Sequence, residues 1–83
     1  MKILYFAWLR AQLGMAEETI SLPEDVNNLH DLIDWLRARS DVFYAAFSDM
    51  DVIRIAVDQE YVTENVPLKG VREIAFFPPV TGG

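Results

Sequence analysis

The last eight residues, Phe76-Phe77-Pro78-Pro79-Val80-Thr81-Gly82-Gly83, suit one kind of chemistry: reaction at a carboxylate delivered into another protein. Pro78 and Pro79 fix φ and offer no N–H, so they favour an extended, polyproline-like direction that needs no hydrogen-bond partner. Gly82 and Gly83 lack Cβ atoms, so an end built from them can thread a narrow channel. The reactive atom would be the carboxyl carbon of Gly83, led in by Thr81 and Gly82. A Gly-Gly ending arises by chance in roughly 0.5% of chains, and terminal glycines also suit a merely flexible end. The aromatic pair and the diproline before them therefore carry the functional reading.

Nothing else in the sequence competes with that end as a reactive group. There is no cysteine, hence no thiolate nucleophile, disulfide or Cys-based metal site, and any sulfur used must be imported. His30, the only histidine, lies near a helix start with Asp34 four residues on and reads as a surface helix residue. Asp49 and Asp51 flank Met50 and read as solvated loop charges rather than metal ligands. No acid–base pair or nucleophile with its base is evident. A formal charge of −6 with only seven Lys and Arg argues against nucleic acid, which needs clustered cations. The apolar opening, residues 2–9, is short for a signal peptide, is ended by Arg10 and has no convincing cleavage site after it. No run approaches the ~20 apolar residues of a membrane span. The expectation is a soluble, cytoplasmic chain with no membrane partner.

The elements that must position the tail can be read from periodicity. A chain of 83 residues has room for one domain with a modest core, since a fold of this size buries only about 60% of its unfolded surface. Residues 2–9, rich in β-branched, aromatic and long apolar types, predict a strand. Arg10 to Gly14 predicts a connector with one helical turn, and the alternation of residues 17–22 predicts a second strand stopped by Pro23. Leu29, Leu32, Ile33 and Leu36 fall at i, i+3, i+4 and i+7, one stripe of a helix. Asn27 or Asn28 can cap it, and Asp31, Arg37 and Arg39 complement its dipole. Trp35 lies off the stripe and should border the core. A short second helix is expected around residues 43–47, strands at 53–57 and 61–62 joined by a turn at Asp58-Gln59-Glu60, and a last strand at 71–77 ended by Pro78-Pro79. This order, ββαββ with a late strand, predicts an α+β fold of the β-grasp, ubiquitin-like kind, a mixed sheet of four to five strands with one main helix across one face. Residues 1–77 would form the domain and 78–83 an extended tail.

Strand parity then suggests where a partner grips. With 52% hydrophobic and 12% aromatic residues, the chain carries more apolar material than its core hides, so a patch should stay exposed for a protein partner. If Lys2 faces outward, so do Leu4, Phe6 and Trp8, leaving Ile3, Tyr5, Ala7 and Leu9 inward. If Glu73 faces outward, so do Ala75 and Phe77, leaving Ile74 and Phe76 in the core. Phe6 and Phe77, extended by Tyr61, would form an interface at the root of the Pro78-Pro79-Val80 segment.

The terminal octet, the opening Lys2-Ile3-Leu4-Tyr5-Phe6-Ala7, the Leu9-Arg10 and Gly14 connector and the Ala56-Val57-Asp58-Gln59 turn together resemble the MoaD-type small subunits of molybdopterin synthase, a ubiquitin-like sulfur-carrier family. The resemblance spans the chain. That family often carries Asn where Asp58 stands and an acidic run where Lys69-Gly70-Val71-Arg72-Glu73 stands. The resemblance implies that an adenylating enzyme uses ATP to convert Gly83 to an acyl-adenylate, and that sulfur then displaces AMP to leave a thiocarboxylate. The tail would enter the synthase large subunit, in a heterotetramer of two small and two large subunits, and donate sulfur to cyclic pyranopterin monophosphate to form the dithiolene. No permanently bound cofactor is implied. Two alternatives share the adenylate chemistry: a ubiquitin-like modifier conjugated through Gly83, and a sulfur carrier of another pathway such as thiamine biosynthesis, which usually lacks the Phe-Phe-Pro-Pro lead.

Overall fold

The computed structural model describes residues 1–79. Five strands, β1 (Lys2–Tyr5), β2 (Glu17–Thr19), β3 (Arg54–Val57), β4 (Glu60–Val62) and β5 (Glu73–Phe77), form one mixed sheet in the order β2-β1-β5-β3-β4. Three α-helices, α1 (Ala7–Leu13), α2 (Leu29–Arg37) and α3 (Asp41–Ala46), and a 3₁₀ turn (Met50–Val52) fill the connections. This is the β-grasp arrangement expected from the sequence, with α2 as the main helix. No helix among the described residues is long and apolar enough to cross a membrane.

The α2 stripe buries Leu29, Leu32, Ile33 and Leu36, and the Asn28 side chain caps it by accepting from the Asp31 amide at 2.9 Å. Trp35 packs partly buried against the core edge. The core itself is aromatic: Phe76 stacks on Tyr5 with centroids 6.2 Å apart and meets Phe47 edge-on at 5.0 Å. All three rings are essentially inaccessible to solvent. Offset and edge-to-face pairs of this kind add to the stabilisation from area burial alone.

Two expected elements are corrected. The strand predicted over residues 2–9 ends at Tyr5, and Ala7–Leu13 is helical. The chain turns the corner with Ala7 at φ 53, a left-handed conformation unusual for a residue with a Cβ. Gly14, at φ 75, closes α1 by donating its N–H to the Arg10 carbonyl at 3.0 Å, the glycine-terminated helix end that only a residue without a Cβ adopts freely. Leu9 is buried because α1 presents it to the core, while Ala7, expected inward on strand parity, is exposed. The second strand is likewise shorter than expected and ends at Thr19.

β5 lies at the centre of this sheet. It pairs parallel with β1 (Tyr5 opposite Phe76) and antiparallel with β3 (Arg54 opposite Phe77), so the strand that leads to the tail is held on both sides. Its start is fixed by the β3–β4 hairpin. Asp58 and Gln59 have φ of 49 and 70, the left-handed pair of a two-residue hairpin turn. The Asp58 Oδ1 atom accepts from the Arg72 and Glu73 amides, each at 2.9 Å, and the Asp58 N–H donates to the Glu73 carbonyl at 2.9 Å. Only an acceptor oxygen is used there, which Asn supplies as well as Asp.

A candidate protein-docking face at the end of the last strand

The pairing registers place Glu17, Leu4, Ala75, Ala56 and Tyr61 in one row across the sheet face opposite the helices. One step towards the C-terminal end of β5 come Phe77 and its partner Arg54. Phe6 stands beside Phe77, in extended conformation, and its N–H donates to the Phe76 carbonyl at 3.1 Å. That bond is the last tie between β1 and β5 before the prolines.

The expected alternation holds in β5: Ile74 and Phe76 are fully buried, whereas Phe77 is half-buried on the outer face. Phe6 is 45% and Tyr61 56% exposed. Phe77 is less open than Phe6 because the Tyr61 ring meets it edge-on, centroids 6.0 Å apart. Ala75, expected outward, is only 9% exposed yet stands outside the core cluster. Its small side chain lies between Leu4 and Ala56 of the flanking strands. Trp8, from α1, is a further exposed aromatic at 37%. Pro78 and Pro79 are half-buried at the root. Val80, Thr81, Gly82 and Gly83, the remainder of the expected tail, lie outside the described residues.

Leu4, expected outward on strand parity, lies on this face and is half-buried; Arg54 and Ala56 belong to it too and were not singled out from the sequence. The polar–apolar alternation of residues 53–57 contained the signal for Arg54 and Ala56, but only the register shows that they flank Phe77 and Ala75. His30 and Asp34, by contrast, are exposed on α2, and the described residues contain no cluster of three or more His, Asp or Glu side chains arranged to hold a metal.

On this face the hydrogen bond and charge of Glu17, 2.9 Å away, hold the Lys2 ammonium above its usual range; the other groups with a perturbed proton affinity lie away from it and have structural causes. Tyr5, buried beneath β2, donates its hydroxyl to Glu18 Oε2 at 2.7 Å, and Arg39 grips both oxygens of the same carboxylate at 2.7 and 3.0 Å. Burial, then the hydrogen bond to Glu18, pushes the Tyr5 hydroxyl far above its usual range. Burial alone would raise Glu18, but the hydrogen bonds from Arg39 and Tyr5 outweigh it and hold the carboxyl below its usual range. The Arg39 guanidinium also lies over the Phe43 and Trp35 rings, 4.6 and 5.1 Å from their centroids. This network ties β2 to α2 and α3, and neither phenol nor carboxylate is available for catalysis.

The sequence from residue 3 to 83 matches the ThiS family. The chain belongs to that family. It is 35% identical to the molybdopterin synthase sulfur carrier subunit of Escherichia coli K12, an alignment that covers 100% of this chain and 99% of that one. It is 33% identical to the protein of the same description from Dictyostelium discoideum, over 99% and 94% of the two chains. Among solved structures it superposes on molybdopterin converting factor subunit 1 from Pyrococcus furiosus with a TM-score of 0.72 and 34% identity, covering 95% of each chain. These ThiS-family similarities run the length of the domain rather than over one motif.

Proposed function

We propose that this ThiS-family chain is the sulfur carrier and small subunit of a molybdopterin synthase, acting through the carboxylate of Gly83. The observation that carries the reading is the coupling of a firmly held strand to a proline-led end. β5 is paired on both sides up to Phe76 and Phe77, and the exposed Phe6 and Tyr61 flank it where the prolines begin. Relatives alike over their whole length are described as carriers of that kind.

The chemistry follows from the weakness of a carboxylate as an electrophile. In an activating adenylyltransferase, a Gly83 oxygen attacks the α-phosphorus of ATP and pyrophosphate leaves. A sulfur nucleophile then attacks the carbonyl carbon of the acyl-adenylate and AMP leaves, which gives a thiocarboxylate. That sulfur, ionised at neutral pH, is donated to cyclic pyranopterin monophosphate inside the large subunit. Two such donations make the dithiolene, and hydrolysis returns Gly83 to the carboxylate. The small subunit supplies the sulfur and its delivery, and the large subunit supplies the catalytic side chains. Two small subunits on a dimeric large subunit is the proposed assembly. Phe6, Tyr61, Phe77 and the Pro78-Pro79-Val80 segment form the grip, an aromatic anchor of the kind that dominates binding energy in protein interfaces.

Adding one residue after Gly83 tests this directly. Sulfur transfer by the extended variant is expected to be abolished while its thermal unfolding stays that of the parent; retained transfer would refute the tail mechanism. Covalent conjugates of the unextended chain to other proteins, formed with the activating enzyme and ATP, would instead support a protein modifier.

A further inference from the structure

The strands of the sheet carry two cations, Lys2 on β1 and Arg54 on β3, and the registers set both on the outer face. Lys2 is matched by Glu17 at 2.9 Å. Arg54 is not matched, since neither of the two salt bridges among the described residues includes it. The acids of this face stand at its other end. Glu73 is four residues before Phe77, the register partner of Arg54, about 13 Å along the strand at ~3.3 Å per residue. Glu17 is three strand spacings from Ala56 in its row, about 14 Å across the sheet.

The Arg54 side chain is half-buried and held in place. Its Nη1 donates to the Asp51 carbonyl at 2.8 Å and to the Ile53 carbonyl at 3.3 Å, which uses both protons of that nitrogen. Nε and Nη2 have no partner among the described residues. Neither is sealed from solvent, because the one buried side-chain nitrogen or oxygen left unpaired there is the Nε of Arg37. Nε and Nη2 share one edge of the guanidinium plane, with their N–H bonds parallel. That edge is the fork that takes a carboxylate through two hydrogen bonds.

The place of the fork decides what fills it. Arg54 lies beside Phe77, the half-buried anchor of the docking face, so docking removes water from its neighbourhood. A cation that loses water without gaining a counter-charge opposes association. The anion must therefore come with the partner. A phosphate attached at Gly83 is too remote, because six residues such as 78–83 span about 19 Å in extended polyproline geometry.

We propose, resting on the reading of this chain as a synthase small subunit, that the Nε–Nη2 edge of Arg54 receives an Asp or Glu carboxylate of the large subunit. Apolar contact through Phe6, Tyr61 and Phe77 is non-directional, whereas a two-bond fork fixes an orientation. Arg54 thus sets the rotation of the docked face about its aromatic anchor, and with it the direction in which the tail leaves. It is a specificity-determining residue of the interface.

Titration calorimetry of the full-length chain with the large subunit, in about 50 and about 500 mM NaCl, tests this. Arg54→Met keeps an unbranched apolar stem and removes the fork. It should melt within about 8 °C of the parent and bind at least about tenfold more weakly in low salt, with a smaller loss in high salt. Arg54→Lys keeps the charge without the fork and should recover only part of the affinity. Phe77→Ala should lose the same factor in both salts. Arg54→Met binding as tightly as the parent, a loss equal in both salts, or full recovery by Arg54→Lys would each overturn the proposal and leave the small-subunit reading standing. A parent chain that does not bind the large subunit would overturn that reading and the proposal with it.

Discussion

Phe76 and Phe77 are adjacent, chemically identical and on opposite faces of one strand, so truncating each in turn separates folding from docking. Phe76 is fully buried, stacked on Tyr5 and wedged against Phe47. Removing a buried ring of this kind costs about 3–5 kcal/mol, from lost transfer energy and the cavity left behind. A domain of this size has roughly 4–12 kcal/mol in all. With ~4–8 °C of midpoint per kcal/mol, Phe76→Ala should lower Tm by at least roughly 12 °C. Phe77 is half-buried and packs chiefly on Tyr61, so its truncation should cost about 1 kcal/mol or less. Its loss should appear in binding, where central aromatic anchors are worth about 2 kcal/mol or more, a fall of about thirtyfold in affinity for the synthase large subunit. Thermal melts followed by circular dichroism, with titration calorimetry on the variants that fold, give both numbers. Comparable melting losses for the two variants, or Phe77→Ala binding as tightly as the parent, would refute the assignment of faces.

Three further outcomes follow from local geometry. Phe6→Asp, at an exposed position, should leave the melt nearly unchanged and weaken large-subunit binding by tenfold or more; calorimetry with the large subunit checks it. Asp58→Asn keeps the acceptor used by the Arg72 and Glu73 amides and should stay within about 0.5 kcal/mol of the parent. Asp58→Ala removes it and leaves an alanine at positive φ, and should cost about 2–3 kcal/mol in denaturant unfolding. The carboxyl of Glu18 has a lower proton affinity folded than unfolded, so near its unfolded pKa the unfolded chain binds more protons and stability rises with pH. The Glu18 contribution is therefore complete above the ordinary carboxylate range and is lost as pH falls through the depressed folded value. Glu18→Gln should flatten that part of the acid limb of a stability–pH profile, and an unchanged limb would remove Glu18 from the explanation.

Much of this arrangement was legible in the sequence wherever a period or a cap spoke alone. The Leu29, Leu32, Ile33, Leu36 stripe fixed α2 and its buried face, and the alternation from Glu73 to Phe77 placed Phe76 in the core and Phe77 outside it. Residues 2–9 misled because an unbroken apolar run has no period to favour strand over helix. The signal that α1 existed was its end, Gly14, a helix-closing residue four positions after the Arg10 carbonyl it binds. The Tyr5–Glu18–Arg39 network was illegible, since it joins three elements distant in sequence.

The most direct test of the central claim is the intact mass of the chain after incubation with its adenylating enzyme, ATP and a sulfur donor. Exchange of one oxygen for sulfur, localised by fragmentation to Gly83, is the expected result. An unchanged Gly83 with active enzyme and ATP present would contradict the sulfur-carrier reading.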